Sequence, residues 1–375
     1  MQLLRLVVGQ VKLGAPLPFG VRDENAKLLL ARGQLVGTQA QFDALLARGI
    51  YVDTEEFKAV QAGRHDAQAP RGSVATLFDL WEQAIWRLDR LLKSALAEPG
   101  FGARCDEFAG QLMALVQRSP DVGIFLSVRQ DPQRLNLYGL THSLHCALMC
   151  QLMTARLGWA PERTRLLVKA ALTMNLTIVD VQGRYAVHGR LTDTQKGEIT
   201  THPTDAAARL RQAGIDDAEW LQAVVEHHER PDGAGYPNRV SRPCEAATLL
   251  RMADVFMAKI SPRAERAPLT VQDAARQMFN EAGGNQAAAA IIKEYGIFPP
   301  GNVVRLASGE LAVVILRGPT AHTPVAAAIT DKAGVPTVGT VRRDTGQPMF
   351  AIKALAPPDA TLMRVPPERL YGLVS

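Results

Sequence analysis

Apolar residues recur at helical spacing through the middle of the chain. The segments VATLFDLWEQAIWRLDRLLKSAL, HSLHCALMCQLMTARLG and AATLLRMADVFMAKI place apolar residues three or four positions apart, which is the period of an amphipathic helix. Capping signals agree with this pattern, because Ser119-Pro120 and Thr192-Asp193 stand where helices would begin. The pattern predicts a helical bundle over residues 74–299.

The two ends of the chain have a different pattern. Short apolar runs alternate with turns over residues 1–59, where Asp23 to Asn25 is typical of a hairpin turn and Gln39 to Ala47 is expected to form a short helix. Residues 60–73 lose periodicity and collect Gly, Pro and polar residues, which indicates a linker. After residue 300 the period changes to two, with a hairpin turn at Ser308 and Gly309. The expected fold is mainly α: a helical-bundle domain between a small β-rich domain at 1–59 and a small β-rich tail domain at 300–375.

The composition is that of a globular protein, since 47% of the 375 residues are hydrophobic and 21% are charged. The net charge of +5 comes from scattered basic residues, and aromatics make up only 6%, so a nucleic-acid surface is not expected. The sequence contains neither a signal-peptide core nor an apolar run long enough to span a bilayer, which predicts a cytoplasmic protein without a membrane span. The four cysteines form no CxxC pair, and no disulfide is expected, although Cys146 and Cys150 share a helix face.

Most of the eight histidines fall in the helical region. Imidazole and carboxylate groups from separate helices of a bundle commonly build metal sites. Two simpler interpretations remain open: His202, next to Pro203, could be a surface residue near a helix start, and His227 and His228 could simply cap a helix. The candidate metal ligands are His142, His202, His227, His228 and Asp254.

The segment HHERPDGAGYP, residues 227–237, resembles the signature HHExxDGxGYP of the HD-GYP family. These are bacterial metal-dependent phosphodiesterases that open the second messenger cyclic di-GMP. Every fixed position of the signature agrees. LTHSLHCALM is similar to the family's helix with a ligand histidine, here His142. HGRLTDTQKGEITTHPTDAAARL is similar to the segment that supplies His202, and LLRMADVFMAKISPRAER to the one that supplies Asp254. The likeness covers roughly residues 100–300.

The resemblance implies a site for metals of the Fe, Mn or Zn class at the five candidate ligands. Two metals about 3.5–4 Å apart would activate a bridging water and neutralise the developing charge of a phosphodiester. It also implies a stiff loop at the mouth of the site, with arginines that give bidentate phosphate contacts. The residues implied to contact the dinucleotide are Arg263, Arg266, Gly235, Tyr236 and Pro237.

The chain departs from the family at the HDxGK motif. The matching text is AALTMNLTIVDVQG, which puts Met174 and Asn175 at the His and Asp positions, Thr177 at the Gly position and Ile178 at the Lys position. A thioether is a poor ligand for the hard or borderline metals that hydrolyse phosphodiesters, and an amide lacks the charge of a bridging carboxylate. The groups that would carry the chemistry are replaced together.

No neighbouring residue is expected to compensate. Asp180 lies five positions after Asn175, which on a helix turns it about 140° away from that face. Met257 stands where the family usually has a second aspartate that helps to hold the ligand. We therefore expect weaker binding of the dinucleotide as well.

Catalytic groups of this kind act as a unit, so no catalytic residue is expected. The sequence predicts a catalytically inactive, degenerate HD-GYP signalling protein, a pseudoenzyme with no metal or a single divalent metal at a partial site. It would bind cyclic di-GMP or, through the Gly-Tyr-Pro segment, a protein partner such as a diguanylate cyclase. Two alternatives stay open: a weak metal-dependent cyclic di-GMP phosphodiesterase that uses the remaining His and Asp ligands, and a ligand-free scaffold. The amphipathic stretch from Val74 to Leu96 is compatible with a homodimer and equally with burial inside one chain.

Overall fold

The computed structural model describes residues 3–5, 17, 19–23, 26, 28–34, 51–53, 75–356 and 365–373. Residues 75–356 form one compact unit, and the described residues before and after them belong to a second unit. The helix expected from Gln39 to Ala47 and the linker expected at 60–73 lie outside the described residues.

Helices build most of the large unit, as the 3.6-residue period predicts. Two of them begin at capping boxes, formed by Thr76 with Asp79 and by Thr192 with Gln195, which pair backbone N–H groups that a helix start leaves free. The helices are α1 Leu77–Lys93, α2 Phe101–Arg118, α3 Pro120–Val128, α4 Tyr138–Leu157, α5 Pro161–Thr173, α6 Val179–His188, α7 Asp193–Gln212, α8 Ala218–Glu226, α9 Glu245–Ile260, α10 Val271–Glu281 and α11 Gln286–Tyr295. A 3₁₀ segment, Pro132–Leu137, precedes α4.

Helix α4 is the centre of the bundle. Almost all of its residues from Tyr138 to Thr154 are buried, and α5, α6, α9 and α11 pack against it. A helix that is covered on every side places its polar side chains inside the protein, where they need partners. His142, His145 and Cys146 are therefore core residues with functional chemistry.

A five-stranded antiparallel sheet ends the large unit. Its strands are β5 Val303–Leu306, β6 Leu311–Leu316, β7 Val325–Thr330, β8 Pro336–Asp344 and β9 Ile352–Leu355, in the order β8-β7-β6-β5-β9. The hairpin expected at Ser308 and Gly309 joins β5 to β6, where Val303 pairs with Val313 and Gly309 has a φ of +91°. This sheet lies in the same compact unit as the helices, and the boundary expected at 299/300 stays a prediction.

The second unit contains a small four-stranded antiparallel sheet. Its strands are β1 Leu3–Arg5, β2 Val21–Arg22, β3 Leu28–Leu30 and β4 Tyr51–Asp53, in the order β1-β4-β2-β3, and a short helix α12 spans Pro367–Leu370. The pairing of Val21 with Leu30 confirms the hairpin expected around Asp23. The predicted fold class, a helical domain flanked by β regions, is thus confirmed. Among the described helices, none combines the length and the apolar character that crossing a membrane requires.

Candidate functional site

Three histidines from α7 and α8 meet in the interior. His202 lies inside α7 and not at its start, and it is only 1% exposed. His227 occupies the C-cap of α8 and is fully buried, and the partly buried His228 follows it. Their rings lie 4.1 to 5.1 Å apart, centroid to centroid. Three imidazole ligand atoms, one from each residue, lie within 4.8 Å of one another.

The hydrogen bonds of two of these histidines fix their tautomers. His202 Nδ1 lies 2.6 Å from the Ile199 carbonyl oxygen, and His227 Nδ1 lies 2.6 Å from that of Val224. Because a carbonyl only accepts, Nδ1 donates in both residues, which leaves each neutral ring with a bare Nε2. These two Nε2 atoms are 3.2 Å apart, so two lone pairs face each other. A cation between them would be held by both, and the donated Nδ1–H is the usual outer-shell bond of a metal-bound histidine.

Burial keeps these imidazoles neutral. It lowers the pKa of His202 to about 3, and it also lowers the pKa of His227. For His228, burial and then the neighbouring His227 hold the pKa well below its usual value. The neutral imidazole is the form that binds metals, so at neutral pH the three side chains are ready to act as ligands.

Asp254 on α9 lies between this trio and α4. Its Oδ1 is 2.7 Å from His142 Nε2, and its Oδ2 is 3.9 Å from His228 Nδ1. Burial by itself would raise the pKa of Asp254, but the hydrogen bond and the charge of His142 outweigh it and hold the pKa below its usual range. The carboxylate is therefore charged, with Oδ1 directed to His142 and Oδ2 to His228.

The loop of residues 229–240, which we call the GYP loop, covers His228. The ring of Tyr236 stacks on that of His228 at a centroid distance of 4.6 Å. Glu229, fully buried, accepts hydrogen bonds from the backbone N–H groups of Asn238 at 2.6 Å and Val240 at 3.0 Å. A Cβ on Gly235 would lie 2.5 Å from backbone atoms of Glu229, so only glycine fits there. Pro237 lies next to Tyr236 at half-buried depth.

Of the two arginines implied to contact phosphate, Arg263 is connected to His142 through the ring of Tyr138. Its Nη2 donates to the hydroxyl of Tyr138 at 2.6 Å, and its guanidinium lies over that ring at 5.0 Å. Tyr138 in turn stacks on His142 at 5.2 Å. Arg266 is exposed and donates to the carbonyl of Ala258. A phosphate contact by either residue stays a prediction.

The positions that replace the HDxGK motif follow the end of α5. Met174 is the C-cap of this helix and is fully buried, and Asn175 is 2% exposed. No acceptor in the described part of the chain reaches Asn175 Nδ2. Ile178 is buried at the N-cap of α6, and Asp180 in the first turn of α6 is exposed. The segment thus presents uncharged side chains to the interior.

Met257, the other departure from the family pattern, is a core residue. It lies on α9 with no exposure, and the Tyr295 hydroxyl is 3.9 Å from its sulfur. This side chain offers no charge to a ligand.

Three residues of the site were missed in the sequence. Glu229 belongs to the signature, but nothing in a single sequence shows that its carboxylate holds the GYP loop. Tyr138 has no signal of its own. Cys146 has one, because it lies one helical turn after His142, and i, i+4 residues share a helix face.

Parts of this chain are similar to known proteins. Residues 131–286 match the family model described as HD domain. A segment of 132 residues is 35% identical to a cyclic di-GMP phosphodiesterase of Pseudomonas aeruginosa. This segment makes up 34% of this chain and 32% of that protein. The chain therefore spans about a third of the length of that relative. An HDG"Y"P protein from Bdellovibrio bacteriovorus superposes with a TM-score of 0.47 at 13% identity, over 78% of this chain and 99% of that one.

Residues 131–286 therefore carry an HD domain, and the HHERPDGAGYP sequence lies within it.

Proposed function

We propose that this chain is a degenerate HD-GYP module that binds cyclic di-GMP without efficient hydrolysis. The observation that carries this proposal is the neutral, buried pair Met174 and Asn175, which stands where the family has a histidine and an aspartate. A carboxylate at position 175 would add negative charge between cations, and the amide adds none. Since catalytic groups of a metal centre act together, we expect turnover to be lost and binding to remain.

The part of the site that remains favours a divalent metal at the three imidazoles. His202 and His227 direct bare Nε2 atoms at each other, and three histidines are a known zinc-binding set. When bound, such a metal supplies positive charge for a phosphate. Residues of this chain would then orient the dinucleotide: Tyr236 over His228, and Arg263 held by Tyr138.

A weak metal-dependent phosphodiesterase is the second candidate. The observation that favours it is the same converging set of imidazoles with the charged Asp254 beside it. The two candidates differ in turnover, which can be measured directly.

The deciding experiment measures cyclic di-GMP binding by calorimetry and hydrolysis by product chromatography on the same purified full-length protein, with Mn²⁺ or Zn²⁺ added. We expect binding without turnover in the natural sequence, and turnover in the triple variant Met174→His, Asn175→Asp, Ile178→Lys. Turnover by the natural sequence that His228→Ala abolishes would establish the second candidate instead. If the protein showed neither binding nor turnover, only the scaffold alternative would remain.

A single side chain tests the binding surface. Arg263→Ala is expected to weaken cyclic di-GMP binding at least about tenfold, because charged hydrogen bonds to phosphate are among the strong ones. The control is Arg90→Ala, an exposed residue of α1, which should bind as the natural sequence does. A protein partner at the GYP loop, a homodimer and a cytoplasmic location stay predictions.

A further inference from the structure

A second group of possible ligands lies on the other side of Asp254. His142 Nε2, Cys146 Sγ and a carboxylate oxygen of Asp254 all lie within 4.8 Å of one another, and all three residues are buried. The imidazole nitrogen is 3.5 Å from the sulfur and 2.7 Å from Oδ1. Unlike the three histidines, this group contains a soft donor.

The geometry makes this group a chelating unit. His142 and Cys146 are i and i+4 on α4, so both side chains leave the helix on one face, and the same spacing of two ligands on a helix builds zinc sites. Asp254 reaches the pair from α9. The sulfur and the carboxylate face the same nitrogen, and that nitrogen can share a proton with only one of them. A cation can bind all three.

We propose that Cys146, His142 and Asp254 form a sulfur-containing site for a Zn²⁺-class cation, beside the three imidazoles. This inference deepens the proposed function, since it concerns the same metal centre, and it goes beyond the single metal expected from the sequence. Binding displaces the thiol proton to solvent and forms one metal–sulfur bond, so one proton is released for each Cys146 that is metallated.

The donor set determines which metal is selected. A thiolate prefers zinc over manganese or magnesium, whereas nitrogen and oxygen ligands alone discriminate less against these harder metals. Asp254 would contribute Oδ1 to this cation, while its Oδ2 remains directed at His228. The carboxylate that remains would thus link the two sites.

The test is cobalt binding to the metal-free full-length protein without oxygen. A cysteinate-to-cobalt charge-transfer band in the near-ultraviolet is expected in the natural sequence and in Cys150→Ala. It should be absent from Cys146→Ala, with zinc affinity at this site lowered more than about tenfold, since even outer-shell losses cost about 10- to 100-fold. Cys150 is the matched control because it is a fully buried thiol one turn further along α4. No band in the natural sequence, or a band that survives Cys146→Ala, would overturn the proposal.

His227→Ala separates this proposal from the metal site of the proposed function. It removes one imidazole of the trio and should leave the sulfur band in place. If Cys146→Ala bound no cobalt while His227→Ala kept the band, the imidazole site would fail and the sulfur site would stand. Should Cys146→Ala not fold, zinc X-ray absorption of the natural protein decides: a sulfur neighbour at about 2.3 Å is expected, and a shell of nitrogen and oxygen alone would contradict it.

Discussion

His202 and His227 point their Nε2 atoms at each other across 3.2 Å while both Nδ1 atoms bond to helix carbonyls. Because each ring is neutral, neither Nε2 can donate to the other. The two nitrogen lone pairs therefore face each other in the interior and repel. A cation bound between them would be coordinated by both.

The first prediction concerns metal affinity at this pair. His227→Gln should lower zinc affinity more than about tenfold, since it removes a ligand whose orientation is set by the Val224 carbonyl. Titration against a competing chelator measures the loss. His188→Gln, an exposed histidine at the end of α6, is the control and should bind zinc unchanged. Equal affinity in both variants would count against the imidazole trio as a metal site.

Glu229 is expected to stabilise the GYP loop. Glu229→Gln replaces one of two accepting oxygens by a donor, so a backbone N–H at residue 238 or 240 loses its partner. An unpaired buried donor costs about 1–3 kcal/mol. Urea unfolding should show this loss in the free energy of unfolding, and limited proteolysis should cut the loop faster. Glu198→Gln, on the exposed face of α7, should change neither quantity.

Gly235→Ala tests the packing of the same loop. The added Cβ would lie 2.5 Å from backbone atoms of Glu229 and Arg230, and such overpacking costs about 1–3 kcal/mol. The matched control is Gly197→Ala in α7, where the added Cβ meets nothing within 4 Å. That substitution should stabilise the protein by about 0.5–1 kcal/mol, because glycine is a poor helix former. The melting temperatures of the two variants should shift in opposite directions. A shift of both in the same direction would contradict this packing.

Arg317 is expected to hold the C-terminal sheet against the helices. Its Nε lies 2.5 Å from Asp121 on α3, and its Nη1 lies 2.8 Å from Glu294 on α11. Arg317→Ala leaves two mostly buried carboxylates without this partner, which should cost about 3 kcal/mol. The exposed pair of Lys196 and Asp193 provides the control, since Lys196→Ala should cost less than about 1 kcal/mol. A small effect of Arg317→Ala in chemical unfolding would support an independently folding sheet after residue 300.

The stability of the metal-free protein should depend on pH through His145. Burial, and then the charge of His142, lower the pKa of this side chain to about 3, against about 6.5 in an unfolded chain. Between these values the unfolded state binds a proton that the native state does not, so stability falls as pH decreases from about 6.5 towards 3. His145→Leu should reduce the slope of unfolding free energy against pH by up to about 1.4 kcal/mol per unit. An unchanged slope in urea titrations would show that His145 is charged or exposed.

Several features of the protein could be predicted from local sequence. Helical periods, capping residues and the hairpins at Asp23 and at Ser308-Gly309 depend on neighbouring residues, and the structure agrees with them where it describes the chain. The HHERPDGAGYP segment likewise indicated the resemblance to the HD-GYP family and, together with two upstream segments, four histidines as candidate ligands. Such signals are readable because each depends on contacts over a few residues.

Only the tertiary structure decided that the candidate ligands form two groups, the three imidazoles on one side and His142, Cys146 and Asp254 on the other. His142 and Asp254 are 112 positions apart, and their contact depends on how α9 packs against α4. The same packing directs the two oxygens of Asp254 to different groups and brings Cys146 beside the imidazole of His142. A sequence shows which side chains can bind a metal or donate a proton, but the distances between them are set by the packing of helices that are remote along the chain.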